Sequence, residues 1–375
     1  MKYKVPFIKP LFPSSEVIAD DYRQIVESNW FTNFGPFERE FSERASEYIG
    51  GEGFVSTVSN ATLGLLIAIK ILLKNPRGHV LIPSFTFSAG PEMIIMSGFK
   101  PVFIDIQPDT WQPDIIQAES YIKSNHGQMS GIILCNIFGV GNKSIEKWEE
   151  LSLKYNLPLI IDSAAGFGSS YTDNERVGLR GNCEVFSLHA TKPFAVGEGG
   201  LISSRSKDFI ERVKQFQNFG FDNNKKINSI GINAKMQEFN AAIGLRQLQD
   251  FDARLKSRTV SLERYRRNLE PLGFVFQDND NLSTIPFVSV VVQNKELSDL
   301  ILTELNKSSV EVRKYYEPLH YQQVLMSESV LAGSLSVTED VYSRILSLPL
   351  HDDMDKASID MITNIMRRLY EEYKS

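Results

Sequence analysis

The sequence predicts an α/β protein: a large domain on a mostly parallel sheet flanked by helices, followed by a smaller α+β domain. Three observations carry this. Between Phe54 and Ile202 short apolar runs alternate with segments of helical spacing, the pattern of strand–helix–strand units. Near Ala234 that pattern gives way to a long proline-free helical stretch. The remainder mixes strand-like runs with helices. With 375 residues and 42% hydrophobic content, the chain is long enough for one large domain with a substantial core plus a smaller one. The division falls between residues 1–250, which include a helical arm at the amino terminus, and residues 251–375.

The strand-like runs are "GFVSTV", "HVLIP", "PVFIDI", "GIILCN", "PLIID", "EVFSL" and "GGLISS". "KWEELSLKYN" has the spacing of a crossover helix, and "PLIID" after it delivers Asp162 at a strand's carboxyl end. In open α/β sheets ligands bind at that edge. "AKMQEFNAAIGLRQLQDFDARLKSRTVSLERYRRNL" repeats apolar residues in helical steps and is expected to run as one long helix between the domains. The second domain then offers "TIPFVSVVV", a helix from about Leu297, a short run at "VEVRKY" and a charged terminal helix.

Charge narrows the partners. The net charge of -6 comes from 40 basic and 46 acidic residues spread along the chain, so no basic face tracks a phosphate backbone and nucleic acid is not an expected partner. Cys135 and Cys183 sit in or beside apolar runs without metal-ligand spacing and read as buried free thiols of a reducing compartment. The stretch "MKYKVPFIKPLFPSS" lacks an apolar segment of signal-peptide length, and no window of about 18 apolar residues follows. A soluble cytoplasmic protein, with no membrane partner and no metal, is expected.

In "FSLHATKPFAVGEGGLISS" Lys192 stands between an apolar run and a glycine-rich turn. A lysine amine can form a Schiff base, and a buried carboxylate such as Asp162 can hold a pyridinium nitrogen protonated. Together they point to pyridoxal phosphate. "VSNATLGLLIAIK" supplies an anion site, with Ser59, Asn60 and Thr62 ahead of an apolar helix whose amino end presents free N–H groups. Ser187 is a second hydroxyl donor, and Phe87 in "IPSFTFSAGPEMI" can lie flat on a pyridine ring. Each residue alone has an ordinary alternative: a surface lysine, a strand-end aspartate, a helix cap, a core phenylalanine. Their convergence on one cofactor is the stronger argument. His189 either lines the pocket or is structural; His320 and His351, each after "PL", read as structural.

With these motifs in place, the chain resembles the DegT/DnrJ/EryC1/StrS sugar-nucleotide aminotransferases, of the fold-type I aspartate aminotransferase-like superfamily. The resemblance runs nearly end to end, through "WFTNFGPFEREFSERASEYIG", "VSNATLGLLIAIK", "IPSFTFSA", "KPVFIDI", "IIDSAAGFGSSY", "FSLHATKPFAVGEGG", "GINAKMQEFNAAIGLRQL", "VEVRKYYEPLH" and "SLPLH". It implies Lys192 as the Schiff-base lysine and Asp162 as the pyridinium partner. It puts Phe87 over the ring and Ala61, Thr62 and Ser187 at the phosphate. Asn233 would reach the phosphate from the neighbouring subunit of a homodimer. The substrates implied are glutamate and a keto-deoxyhexose of a nucleotide sugar, and "GEGG" leans toward amination at C4 of a 6-deoxy sugar.

Two departures stand out. Where the family has Gln or His near the cofactor's 3-oxygen this chain has Ala165, and the family's "GT" reads "AT" at the phosphate loop. The alternatives are a sugar dehydratase, for which relatives carry histidine in place of Lys192, and a noncatalytic sensor on the same fold.

Overall fold

Every apolar run named between Phe54 and Ser204 becomes a strand of one sheet in the computed structural model, which describes residues 3–172, 175–222, 224–278 and 282–375. The first two residues of the amino-terminal stretch lie outside the described residues. In chain order the strands are β1 (Phe54–Val58), β2 (His79–Pro83), β3 (Lys100–Ile104), β4 (Met129–Cys135), β5 (Leu159–Asp162), β6 (Ser170–Thr172), β7 (Glu175–Arg176), β8 (Cys183–Ser187), β9 (Gly200–Ser204), β10 (Val275–Phe276), β11 (Val288–Val291), β12 (Val330–Leu331) and β13 (Ile345–Leu348). The helices are α1 (Ser15–Ser28), α2 (Pro36–Tyr48), α3 (Ala61–Leu72), α4 (Ala89–Met96), α5 (Ile115–Asn125), α6 (Ile145–Tyr155), α7 (Lys207–Phe216), α8 (Glu238–Leu248), α9 (Phe251–Leu269), α10 (Lys295–Lys307), α11 (Gln323–Met326), α12 (Ser336–Arg344) and α13 (Lys356–Lys374).

The large sheet has the order β1-β9-β8-β5-β4-β2-β3-β12. Only β9 runs against its neighbours, so the other strands bring their carboxyl ends to one edge. Alternate side chains feed two cores. Leu81, Leu134, Ile161 and Phe186 face one, under α2, α5, α6 and α8; Ile82, Ile133, Ile160 and Val185 face the other, under α3, α4 and α7. Burial on both faces explains the near-continuous apolar runs, each fully buried Leu, Ile, Val or Phe contributing about 1.5–3 kcal/mol. Helix α3 lies close on the sheet because Gly64 has no side chain: a Cβ there would stand 2.9 Å from Val185 Cγ1.

The expected single long helix is two. It breaks at Gln249 and Asp250, where the Asp250 carbonyl accepts the N–H groups of Ala253 (3.0 Å) and Arg254 (3.1 Å) and starts α9. The break lets Ala241 and Ile243 of α8 face the large core while Tyr265 and Leu269 at the far end of α9 enter the second one. That second core packs the sheet β10-β11-β13 against α9, α10 and α13. The run "VEVRKY" forms no strand. Val310 and Val312 sink into the second core, Arg313 makes one bridge to Ser347, and the chain then turns toward the cleft.

We keep the division at residues 250 and 251 as a proposed boundary. Several segments cross it: Val5 pairs with Val310, Phe251 and Leu255 at the start of α9 pack in the large core, and the chain from Leu319 returns to the large sheet, where β12 pairs with β3. Among the described residues no helix is long and apolar enough to cross a membrane.

Candidate active site

Cys135, Asp162 and Ser187 are the last residues of β4, β5 and β8, so the sheet sets them side by side at its carboxyl edge. Asn60, Ala61 and Thr62 follow β1, and Phe87 follows β2. All of these line one cavity of about 790 Å³, together with Lys192.

Lys192 sits in a turn that long-range contacts hold. Its N–H donates to the His189 carbonyl (2.8 Å), and Ala190 N–H to the Gly197 carbonyl (2.8 Å). From α8, Asn240 donates to the carbonyls of Val196 (3.1 Å) and Glu198 (2.6 Å), and Gln247 to Ala195 (3.0 Å). Arg254 of α9 donates to the Pro193 carbonyl (2.7 Å) and pairs with Asp352 (2.7 Å). The lysine backbone is therefore rigid while its amine reaches the cavity. Burial pushes its pKa down, and the Asp162 charge pulls partly the other way.

Burial raises the Asp162 carboxyl above its ordinary range, opposed by the Ala164 N–H, which donates to Oδ1 at 3.0 Å, and by Lys192. A cationic nitrogen facing it would favour the charged form. The loop after Asp162 rests on a second carboxylate. Glu184, wholly buried on β8, accepts from Ser163 Oγ (2.6 Å), Tyr171 Oη (3.1 Å), Gly178 N–H (2.8 Å) and Arg180 N–H (3.0 Å). Its pKa is pushed up to about 7 by burial, against those four hydrogen bonds.

At the other end of the cavity, Asn60 caps α3 by accepting from Leu63 N–H (2.9 Å). That leaves Ala61 and Thr62, at the first helical positions, with N–H groups that no helical carbonyl can reach. Of the glycines of "GEGG", Gly197 takes a positive φ of 96°, whereas Gly199 and Gly200 serve close packing. A Cβ on Gly200 would meet Ala61 N at 2.8 Å.

Not every expected residue comes together. Phe87 is 61% exposed at the cavity wall, open to cover a ring. Asn233 is exposed, bonded to Lys235 Nζ (2.8 Å), and is not among the residues lining its own chain's cavity. Ser59 is also absent from the wall; its N–H donates to the Ala234 carbonyl (2.7 Å). His189 does line the cavity, its Nδ1 2.9 Å from Thr191 Oγ1. His320 is tied to Ser84 (2.7 Å) and Glu339 (3.1 Å), and His351 to Asp353 (2.8 Å), as structural histidines are. Cys135 and Cys183 are buried free thiols. Sequence reasoning missed Asn136, Arg313 and Tyr316, which also line the cavity.

The residues present fit pyridoxal phosphate. A lysine amine and a carboxylate share a cavity with a helix amino terminus whose first N–H groups have no hydrogen-bond partner among the described residues, and Gly200 leaves that terminus uncrowded, since a Cβ there would meet Ala61 N. Comparison with known proteins agrees. A Mycobacterium tuberculosis chain, Protein MT3510, is 44% identical over 356 residues, covering 94% of this chain and 86% of that one. The dTDP-4-amino-4,6-dideoxy-D-glucose transaminase of Shigella dysenteriae is 29% identical over 96% of this chain and 98% of its own. Among solved structures, a Bacillus cereus ATCC 10987 chain assigned as a PLP-dependent aminotransferase superposes with a TM-score of 0.91 at 32% identity, covering 97% and 99% of the two chains. Residues 14–367 match the DegT/DnrJ/EryC1/StrS aminotransferase family. The chain belongs to that family and is a fold-type I, pyridoxal-phosphate-dependent aminotransferase.

Proposed function

We propose that this enzyme moves an amino group from glutamate to the keto carbon of a nucleotide-linked deoxyhexose, at C4 of a 6-deoxy sugar, and works as a cytoplasmic homodimer in deoxyamino-sugar biosynthesis for O-antigen or another polysaccharide. The observation that carries the reading is the cavity shared by Lys192, Asp162 and the α3 amino terminus. Its volume of about 790 Å³ lies high in the range of roughly 300–1,000 Å³ for small-molecule sites, which suits a sugar beside a cofactor ring. In support of the substrate class, the Shigella relative is a transaminase of a dTDP-linked amino sugar, and DesI, 27% identical with a TM-score of 0.88, was crystallised with its TDP-sugar product.

Bound pyridoxal phosphate supplies a carbonyl that exchanges the amino group and a cationic ring that draws electrons from the reacting carbon. Lys192 holds it through the side-chain amine. With an amino donor in the site, the free Lys192 amine would carry a proton off and onto the reacting carbon. Its lowered pKa keeps more of the amine neutral and able to act as a base. Asp162 would keep the ring nitrogen charged, the N–H groups of Ala61 and Thr62 with Asn60 and the Ser187 hydroxyl would hold the phosphate, and Phe87 would cover the ring. Asn233 of a second copy completes the phosphate site.

The test is turnover of a 4-keto-6-deoxy nucleotide sugar with glutamate, followed by NMR of the product. Nitrogen at C4 is expected. Nitrogen at C3, or no reaction with any 4-keto sugar, sinks the positional assignment.

A further inference from the structure

The substituents of pyridoxal phosphate follow a fixed order round its ring. The nitrogen lies opposite the aldehyde carbon, with the phosphate arm on one flank of that axis and a phenolic oxygen on the other. On the site reading above, on which this inference rests, the nitrogen meets Asp162 of β5 and the phosphate arm points to α3 and Ser187 of β8. The sheet sets β8 and β4 on opposite sides of β5. The phenolic oxygen therefore faces the β4 side of the cavity.

The residues lining the cavity about Cys135 include Thr86, Asn136, Phe138, Ala165 and Tyr316, and the Thr86 hydroxyl is engaged with the Cys135 thiol. Phe138 and Ala165 have no polar side-chain atom, and a thiol is a weak donor. Asn136 has nothing left to give: its amide hydrogens go to Ser163 Oγ (2.9 Å) and Tyr171 Oη (3.0 Å), and its oxygen accepts from Asn142 N–H (3.0 Å). Tyr316 differs. Its ring is stacked on Phe138 (5.5 Å, 25°) and on Tyr315 (5.2 Å, 27°). Among the described residues no hydrogen-bond partner reaches its hydroxyl. The hydroxyl lies within electrostatic reach of Asp162 and Cys135, and burial with the Asp162 charge keeps it protonated.

We propose that Tyr316 is the hydrogen-bond donor to the phenolic oxygen of the cofactor. The contact is made from the segment after Val312 and accounts for an alanine at position 165, which needs no polar group if Tyr316 supplies the donor.

The resting holoenzyme, without sugar or amino donor, gives the test. A donor to the oxygen anion lowers the pKa of the proton shared between that oxygen and the nitrogen linked to Lys192. Loss of the donor raises it. Tyr316→Phe should therefore bind the cofactor and shift the pH midpoint of its visible absorption band upward by on the order of one unit. Adding Ala165→Gln to that variant, which returns a donor to the same edge, should move the midpoint back. An unchanged midpoint in Tyr316→Phe overturns the proposal, as does a variant whose only change is a higher KM for the sugar, since the hydroxyl then serves the substrate. Should the Phe variant not fold, Tyr316→Met is read the same way. Because no sugar is present, failure of the nucleotide-sugar reading leaves this result standing. Failure of the Lys192 attachment appears separately, as a missing visible band in the wild type.

Discussion

Gly200 lies directly against the backbone nitrogen of Ala61: a Cβ on it would stand 2.8 Å from that nitrogen, 2.8 Å from the Asn60 carbonyl carbon and 2.9 Å from the Phe186 oxygen. All three are backbone atoms, so none can swing aside. Gly200→Ala should displace the first turn of α3 and weaken cofactor binding about tenfold or more, in keeping with the ~1–3 kcal/mol that overpacking costs. Titration of the apoenzyme by absorbance measures it. Unchanged affinity would mean that the α3 terminus does not hold the phosphate.

Lys192→Ala should abolish turnover and covalent attachment of the cofactor. Borohydride reduction and peptide mapping of the wild type should find the cofactor on Lys192. An adduct on any other lysine ends the assignment.

Asp162→Asn retains shape and loses charge. Turnover should fall by about 10²–10³-fold, the usual effect of removing one preorganised electrostatic group, with melting temperature nearly unchanged. Single-turnover rates near wild type would reduce Asp162 to a strand-end cap.

If Asn233 acts across a two-fold dimer, Lys192→Ala and Asn233→Ala chains should rescue each other. Random pairing makes roughly half of all dimers mixed, each with one intact centre, so co-refolding should restore about a quarter of wild-type activity. No recovery from demonstrated mixed dimers refutes the trans role.

Glu184 sets a sign for the pH dependence of stability. Its pKa in the fold is about 7, against about 4.3 in an unfolded chain, so across that window the folded state holds more proton. The free energy of unfolding should fall as pH rises from about 4.3 to about 7. Glu184→Gln should flatten the fall, read by urea melts at several pH values, and lower stability by about 1–3 kcal/mol through the mismatched donors of Ser163 and Tyr171. An unaltered slope would assign the effect to other carboxylates.

Strands and the ligand-binding edge were legible because apolar runs and a strand-terminal aspartate are local signals. What holds the lysine turn was not. Asn240, Gln247 and Arg254 are polar residues on helices, the ordinary look of a solvent face, and only the fold shows them bonded to the carbonyls of the turn. Glu184 was hidden for a similar reason: within "EVFSL" it resembles the outward residue of an alternating strand, yet helices cover that face. Tyr316 needed both domains in place before its position meant anything.

The return of the chain to the large sheet orders events during synthesis. Strand β3 gains its outer neighbour, β12, only when Val330 and Leu331 have emerged, more than two hundred residues after β3 itself. Until then β3 is a bare sheet edge, open to strands of other nascent chains. A fragment ending at residue 250 would keep that edge permanently, and would aggregate more readily than the whole chain even with Lys192 and Asp162 correctly placed.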